Sequence, residues 1–164
     1  MKLYVKRSEC FEDAHNSSLA LLAMALEREY HIDINSLKIQ KNAYGKPFFE
    51  NSDIHFSISH SDQYIAVAIG KINLGTDIQK ITDISERLMM RFVGKAGIDP
   101  TENTRLWTEY ESLAKLVGTG IPLKEKDRIE CSYKTFCDID GFVITLCVEK
   151  ENSDLLSGLS LTVI

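Results

Sequence analysis

Three short segments carry polar, chemically able residue types inside otherwise apolar sequence. They span residues 56–61, 74–79 and 107–115, and Lys46 precedes them in a Gly-Lys-Pro loop. Because buried polar side chains cost free energy unless they are paired, such segments point to a functional site. Together they supply two carboxylates, a histidine among serines, and two lysines. This set is suited to holding a phosphorylated ligand around a divalent cation.

Two of the segments place a pair of polar side chains on one face. On a strand, Asp77 and Gln79 point the same way because side chains alternate, so they present two oxygens side by side. On a helix, Glu111 and Lys115 share a face at a spacing of four residues, with Trp107 one turn earlier. The alternatives are a solvated strand end for the first pair and a weak surface ion pair for the second.

The remaining segment holds three serines, at 57, 59 and 61, and His60. In strand register the serines face one side and His60 the other. No Gly-x-Ser-x-Gly turn is present, so we interpret the hydroxyls and the imidazole as hydrogen-bond donors to an anion. The alternative is a turn capped by serines.

The composition is that of an ordinary globular protein. The chain has 164 residues, 44% of them hydrophobic and 26% charged, which suits one domain or two small halves sharing a core. The net charge of −5 argues against a nucleic-acid partner. No apolar run approaches the roughly 18 residues of a membrane span, and the N-terminus lacks the apolar region of a signal peptide. We therefore expect a cytoplasmic protein with no membrane contact, whose four cysteines are free thiols.

The elements that must position these residues mix helices and strands. Helices are predicted over 13–30, capped by Asp13, over 84–93, and over 100–117, where Asp99 and Pro100 begin the helix and Gly118 ends it. Strands are predicted over 2–6 as an edge strand, and over 37–40, 54–59, 64–69, 74–79, 128–136, 142–148 and 159–163. The three strands between 54 and 79 are expected to form an antiparallel meander. This order predicts an α+β fold of two halves, 1–80 and 81–164, each with a helix packed on a mostly antiparallel sheet.

In their order and spacing, the segments resemble the 4′-phosphopantetheinyl transferase superfamily of the Sfp type. The resemblance covers residues 12–123, about two thirds of the chain, and identifies a compact member. The matching motifs are Gly45-Lys46-Pro47, Ser59-His60-Ser61 at a strand end, Gly75-Thr76-Asp77, Trp107 with Glu111 and Ser112, and Lys115 four residues after that Glu. The run Glu12-Asp13-Ala14-His15 also resembles family members.

The resemblance implies two pseudo-twofold-related halves with the ligand between them. It implies holo-[acyl-carrier-protein] synthase chemistry: Mg²⁺-dependent transfer of 4′-phosphopantetheine from coenzyme A to a serine of an apo acyl or peptidyl carrier protein, releasing 3′,5′-ADP. Such carriers serve fatty-acid, polyketide or nonribosomal-peptide biosynthesis, and members of this type are expected to be monomers. Carried over by position, the metal ligands are Asp77, Gln79 and Glu111. The coenzyme A contacts are Lys46, Ser59 and His60 at the 3′-phosphate end and Lys115 at the pyrophosphate.

The catalytic residues expected on this basis are Asp77, Glu111 and Lys115. Glu111 is the best candidate base for the proton of the carrier serine. Carrier proteins present an acidic helix, so we also expect a basic surface, for which Arg87 and Arg91, four residues apart, and Lys95 are candidates. The alternative for these three is a solvated helix face.

Two positions depart from the family pattern. Gln79 stands where the family usually has Glu, which removes one negative charge, and Tyr110 stands where it usually has Lys. Three interpretations therefore remain: an active transferase, a catalytically degenerate member that binds coenzyme A or a carrier protein, and an unrelated Mg²⁺-dependent phosphate-handling enzyme. The retained Asp77, Glu111 and Lys115 favour the first.

Overall fold

The computed structural model describes residues 1–8 and 14–164, except for the side chains of Ala14 and Glu125. The predicted helix cap Asp13, the neighbouring Glu12, and Cys10 lie outside the described residues. The α+β class is confirmed. Within the described part of the chain, no helix is both long and apolar enough to cross a membrane. The three cysteines described, at 131, 137 and 147, are free thiols.

The helices and strands follow the predicted order with shifted ends. The helices are α1 Ala14–Tyr30, α2 Glu86–Phe92 and α3 Pro100–Val117, with short 3₁₀ turns at Ile34–Ser36, Glu125–Asp127 and Lys150–Leu156. The strands are β1 Lys2–Arg7, β2 Ile39–Lys41, β3 Pro47–Phe49, β4 His55–Ser61, β5 Tyr64–Gly70, β6 Leu74–Lys80, β7 Cys131–Phe136, β8 Phe142–Glu149 and β9 Leu161–Val163. β3 is absent from the sequence prediction because it begins at Pro47, and a proline argues against a strand in a short run.

The ends of α3 follow from local chemistry. The Asp99 carboxylate accepts a hydrogen bond from the Glu102 amide at 2.8 Å, and Pro100 occupies the first helical position. Gly118 ends the helix in the left-handed conformation, with φ of 77°, which glycine adopts without a steric cost. Both predicted ends of this helix are therefore confirmed.

The strands form two main sheets and one hairpin. The first sheet has the order β4-β5-β1-β9, the second has the order β6-β8-β7, and β2 pairs with β3. The prediction of β1 as an edge strand is wrong, because β9 pairs with it in parallel on the side away from β5. Of the predicted meander, the antiparallel pairing of β4 with β5 is confirmed, but the inclusion of β6 is wrong, because β6 lies in the second sheet.

Burial explains why β6 leaves its sequence neighbours. Leu74 and Ile78 are fully buried in the core between the two sheets, while Gly75 and Asp77 alternate with them and face α3. A strand buried on both faces must lie in an inner layer. α1 covers the outer face of the first sheet, and α3 covers the outer face of the second. The protein is thus a helix-sheet-sheet-helix sandwich.

The two sheets exchange strands between the halves of the sequence. β6 falls within 1–80 but pairs with β8, and β9 falls within 81–164 but pairs with β1. A boundary near residue 80 therefore does not separate the two sheets. The pseudo-twofold relation of the halves stays a prediction.

Serine hydroxyls bridge β4 and β6 where the sheets meet. The Ser57 hydroxyl accepts a hydrogen bond from the Thr76 amide at 3.0 Å, and the Ser61 hydroxyl accepts one from the Lys80 amide at 3.0 Å. These two serines therefore satisfy backbone groups of β6, a contact that the sequence pattern does not indicate. Each hydroxyl keeps its own proton, so its interpretation as a donor to an anion stays a prediction.

The closest approach between β6 and α3 occurs at Gly75. A Cβ atom at this position would lie 2.1 Å from the Ser112 carbonyl oxygen and 2.4 Å from the Leu116 amide nitrogen. Both are backbone atoms of α3, so a rotamer change cannot relieve the clash. Only glycine allows this contact.

We predict that Gly75→Ala lowers the free energy of unfolding by about 3 kcal/mol or more, at the upper end of overpacking costs, because α3 must move away from β6. Urea unfolding measures the loss. Gly158→Ala is the matched control, since a Cβ atom there meets no atom within 4 Å. Equal stability of the two variants would contradict the proposed steric constraint.

Candidate functional site

A cleft of about 540 Å³ brings most of the predicted site residues together. Its walls come from α1, the β2–β3 hairpin, the ends of β4 and β6, and α3. The residues it shares with the sequence prediction are Ser59, His60, Asp77, Gln79, Glu111 and Lys115. Lys46 lies instead on a smaller neighbouring cavity of about 280 Å³, which also touches Glu111 and Lys115.

Asp77 is the most buried charged group of the cleft, with 2% of its surface exposed. One carboxylate oxygen, Oδ1, accepts hydrogen bonds from the Ser59 hydroxyl and from the Lys115 ammonium, both at 2.7 Å. The other oxygen, Oδ2, is buried without a hydrogen-bond partner. A buried carboxylate needs such pairing, and here only half of it is paired.

Glu111 lies one helical turn before Lys115, half-buried at the cleft. Burial and the negative charge of Asp77 raise the pKa of the Glu111 carboxyl, while Lys115 and a hydrogen bond from the Trp107 side chain partly offset that rise. Two carboxylates and one lysine therefore line the cleft together. Charge repulsion of this kind favours a bound cation.

The donor set fits a magnesium ion that is held jointly by protein and phosphate. Asp77, Gln79 and Glu111 all line the cleft, and Asp77 Oδ2 has no hydrogen-bond partner. Across residues 1–8 and 14–164, no group of three His, Cys, Asp or Glu side chains could hold a metal by itself. Mg²⁺ usually takes one or two carboxylates and completes its shell with phosphate oxygens and water. Two carboxylates and an amide oxygen meet that requirement.

Lys46 holds the C-terminal end of α3. Its ammonium donates to the Leu116 carbonyl at 3.0 Å and to the Asn73 side-chain oxygen at 2.9 Å. Asn42, from the same loop, donates to the Gly118 carbonyl at 2.8 Å. Burial lowers the pKa of Lys46 to about 8. The ammonium thus satisfies carbonyl groups that a helix end leaves free, and its contact with a phosphate stays a prediction.

Two basic residues of the cleft, His15 and Lys41, are not among the site residues that the sequence predicts. His15 lies at the start of α1, and Lys41 ends β2; both are exposed and line the cleft with His60. Lys41 pairs with Pro47 in the β2–β3 hairpin. A prediction that these two strands pair would have placed Lys41 beside the Gly-Lys-Pro loop. Lys41 and Lys115 place positive charge at the cleft, and the imidazoles of His15 and His60 offer hydrogen-bond donors there, which suits a ligand with several negative charges.

Tyr110 lies in the core and not in the cleft. Its hydroxyl accepts a hydrogen bond from the Leu123 amide at 2.8 Å, and its ring packs beside Trp107 and Phe92. The position that departs from the family pattern therefore anchors the chain after α3. It contributes no side chain to the cleft lining.

The chain is similar in sequence to several proteins that are named 4′-phosphopantetheinyl transferases. The 4′-phosphopantetheinyl transferase Sfp of Bacillus subtilis (strain 168) is 32% identical over 136 residues, which is 72% of this chain and 61% of the relative. The 4′-phosphopantetheinyl transferase gsp of Aneurinibacillus migulanus is 34% identical over 125 residues, 67% of this chain and 51% of the relative. A further 4′-phosphopantetheinyl transferase of Bacillus subtilis is 30% identical over 136 residues. The chain thus spans between half and two thirds of the length of these relatives. No family model matches it.

We predict that Glu111→Gln stabilises the protein at neutral pH. Because the pKa of Glu111 is raised by burial and by Asp77, the folded state binds this proton more tightly than the unfolded state. Between the ordinary pKa of 4.5 and the raised value, the free energy of unfolding therefore falls as pH rises. Glutamine removes that loss, so the variant should melt higher than wild type above this window and equally below it.

Thermal melting as a function of pH measures this difference. Glu27→Gln is the matched control, because Glu27 is exposed on α1 and its substitution should leave the pH profile unchanged. A Glu111→Gln variant that melts with the wild-type profile would show that Glu111 carries no burial penalty.

Proposed function

Because the chain belongs to the 4′-phosphopantetheinyl transferase superfamily, we propose that it transfers 4′-phosphopantetheine from coenzyme A to a serine of an apo acyl or peptidyl carrier protein. The observation that carries the proposal is the Asp77–Lys115 contact beside Glu111, with Asp77 Oδ2 left unpaired. Two carboxylates and a lysine at one point suit a pyrophosphate with its counter-cation. The reaction is Mg²⁺-dependent in this proposal, and the enzyme is monomeric and cytoplasmic.

The magnesium ion would be held by Asp77, Glu111 and the Gln79 amide, together with oxygens of the pyrophosphate. When bound, it neutralises phosphate charge and so favours attack on phosphorus. Lys115 adds a positive charge from the helix on the same side of the cleft. Its ammonium is positioned to stabilise the negative charge that develops on the departing phosphate.

Glu111 takes the proton of the incoming serine. The serine oxygen forms a bond to the phosphorus that carries the pantetheine arm, and the bond from that phosphorus to the oxygen bridging the two phosphates breaks. The electron pair of the broken bond leaves with 3′,5′-ADP, and the serine proton moves to the Glu111 carboxylate. The Glu111 carboxylate lines the same cleft as Asp77 and Lys115, which makes it the base in this proposal.

Basic residues that line the cleft would meet the nucleotide end of coenzyme A. His60 and Lys41 face the cleft from β4 and β2, and His15 faces it from α1. Their exposure allows them to reach a phosphate without losing an internal partner. Lys46 remains a candidate for the same role, although its ammonium now bonds Leu116 and Asn73.

A second candidate function is that of a module which binds coenzyme A or a carrier protein without turnover. Gln79 favours it, because an amide at this position leaves the cleft with two carboxylates and weakens its attraction for a divalent cation. The two candidates differ in turnover and share ligand binding, so one assay separates them.

The decisive experiment incubates the protein with coenzyme A, Mg²⁺ and a panel of apo carrier proteins, and measures the intact mass of each carrier. We expect one carrier to gain the mass of phosphopantetheine and EDTA to abolish the gain. Asp77→Ala and Glu111→Ala should each slow the transfer at least about 100-fold, whereas Glu27→Ala, on the exposed part of α1, should not. Full activity of either cleft variant would overturn the mechanism.

An active relative is run in parallel as the positive control. If no carrier gains mass with this protein, the binding module is the remaining candidate, and calorimetry with coenzyme A tests it.

Carrier recognition is predicted to involve the basic face of α2. Arg87 and Arg91 are both exposed on this helix, and exposed Lys95 follows it. Reversing the charge at Arg87 and Arg91 should raise the KM for the carrier several-fold and leave the KM for coenzyme A unchanged, because opposite charges steer the two proteins together. Steady-state kinetics of the double Glu variant measures both constants.

The charge-matched control reverses Lys2 and Lys6, which are exposed on β1. It changes the net charge by the same amount at a different surface. A carrier KM that rises equally in both double variants would indicate a general charge effect and exclude α2 as the contact surface.

A further inference from the structure

The three serines of β4 make two different kinds of contact with β6. Ser57 and Ser61 accept hydrogen bonds from backbone amides, as described above. Ser59, between them, instead donates its proton to the side chain of Asp77, at 2.7 Å from Oδ1. Ser57 and Ser61 therefore link the two sheets on either side of Ser59, and the Ser59 hydroxyl bonds the Asp77 carboxylate instead.

Burial limits what else the Ser59 hydroxyl can contact. Only 6% of the Ser59 surface is exposed, and 2% of the Asp77 surface. Serine has one proton to donate, and this proton is committed to Asp77. A phosphate contact of the Ser59 hydroxyl would compete with that bond.

The two donors on Asp77 Oδ1 differ in rigidity. Lys115 reaches the carboxylate through a long flexible side chain, of which 30% is exposed. Ser59 reaches it through a single short side chain on a paired strand. If the Lys115 ammonium bonded a bound anion instead, Ser59 would be the remaining donor to Oδ1.

We propose that Ser59 is a positioning residue, whose hydroxyl fixes the Asp77 carboxylate so that Oδ2 is presented to the cation. This inference rests on the proposed function, and it replaces the 3′-phosphate contact that the resemblance implies for Ser59. Groups that orient a metal ligand typically contribute about 10- to 100-fold to metal affinity or activity. The hydroxyl, and not the volume of the side chain, supplies the effect.

The first test uses Mn²⁺ as the probe in the presence of saturating coenzyme A, whose phosphate oxygens complete the metal's shell, and measures its affinity for the full chain by electron paramagnetic resonance. We expect Ser59→Ala to bind Mn²⁺ about 10- to 100-fold more weakly than wild type. Ser57→Ala is the matched control: it removes a buried hydroxyl from the same face of β4, and should lower thermal stability but not Mn²⁺ affinity. Ser59→Thr keeps a hydroxyl and should restore most of the affinity.

The second test separates positioning from phosphate binding in the transfer reaction. A positioning residue lowers kcat and leaves the KM for coenzyme A unchanged, whereas a phosphate contact raises that KM. Because Mn²⁺ binding needs no carrier and no turnover, a failure of the transferase proposal leaves the first test intact.

Three results would overturn the proposal. They are wild-type Mn²⁺ affinity in Ser59→Ala, equal losses of affinity in Ser59→Ala and Ser59→Thr, and a raised KM for coenzyme A with kcat unchanged. If Ser59→Ala melts below the assay temperature, Ser59→Cys serves in its place, since it is nearly isosteric and a weak donor. The same loss of affinity is expected from it.

Discussion

The backbone of β6 lies against the backbone of α3 at Gly75, closer than any side chain would permit. This contact sets the register of the helix on the strand, because Gly75 faces Leu116. Lys115 precedes Leu116 on the helix, and Asp77 lies two residues after Gly75 on the strand. The Lys115 ammonium therefore meets Asp77 Oδ1 at 2.7 Å. The absence of a side chain at one position of the second sheet thus brings the reactive groups together.

The same contact brings the charged groups of Asp77 and Glu111 together where both are shielded from water. Asp77 is buried with one unpaired oxygen, and Glu111 stands beside it with a raised pKa. Such an arrangement lowers stability, since removing carboxylates from water costs more than one lysine returns. A cation together with an anionic ligand would relieve both carboxylates. The cleft is therefore least satisfied where the proposed substrate would bind.

Interlocking of the two halves supports this cleft. The loop that carries Lys46 and Asn42 holds the end of α3 through the Leu116 and Gly118 carbonyls. β6 and β9 each cross to the sheet of the other half. The residues of the cleft come from both halves of the sequence, so their spacing depends on the whole sandwich and not on one half.

Periodicity within single elements was sufficient to place Asp77 with Gln79 and Glu111 with Lys115, and the caps at Asp99 and Gly118 set the ends of α3. These features follow from the sequence by itself, because strand and helix geometry acts over a few residues. The bond from Ser59 to Asp77 joins positions 18 apart, and that from Lys46 to Leu116 joins positions 70 apart. Only the tertiary structure decided those contacts and the sheet in which β6 lies. The physical reason is that apolar faces are buried against one another. This burial selects among strand pairings that local sequence patterns leave equally allowed.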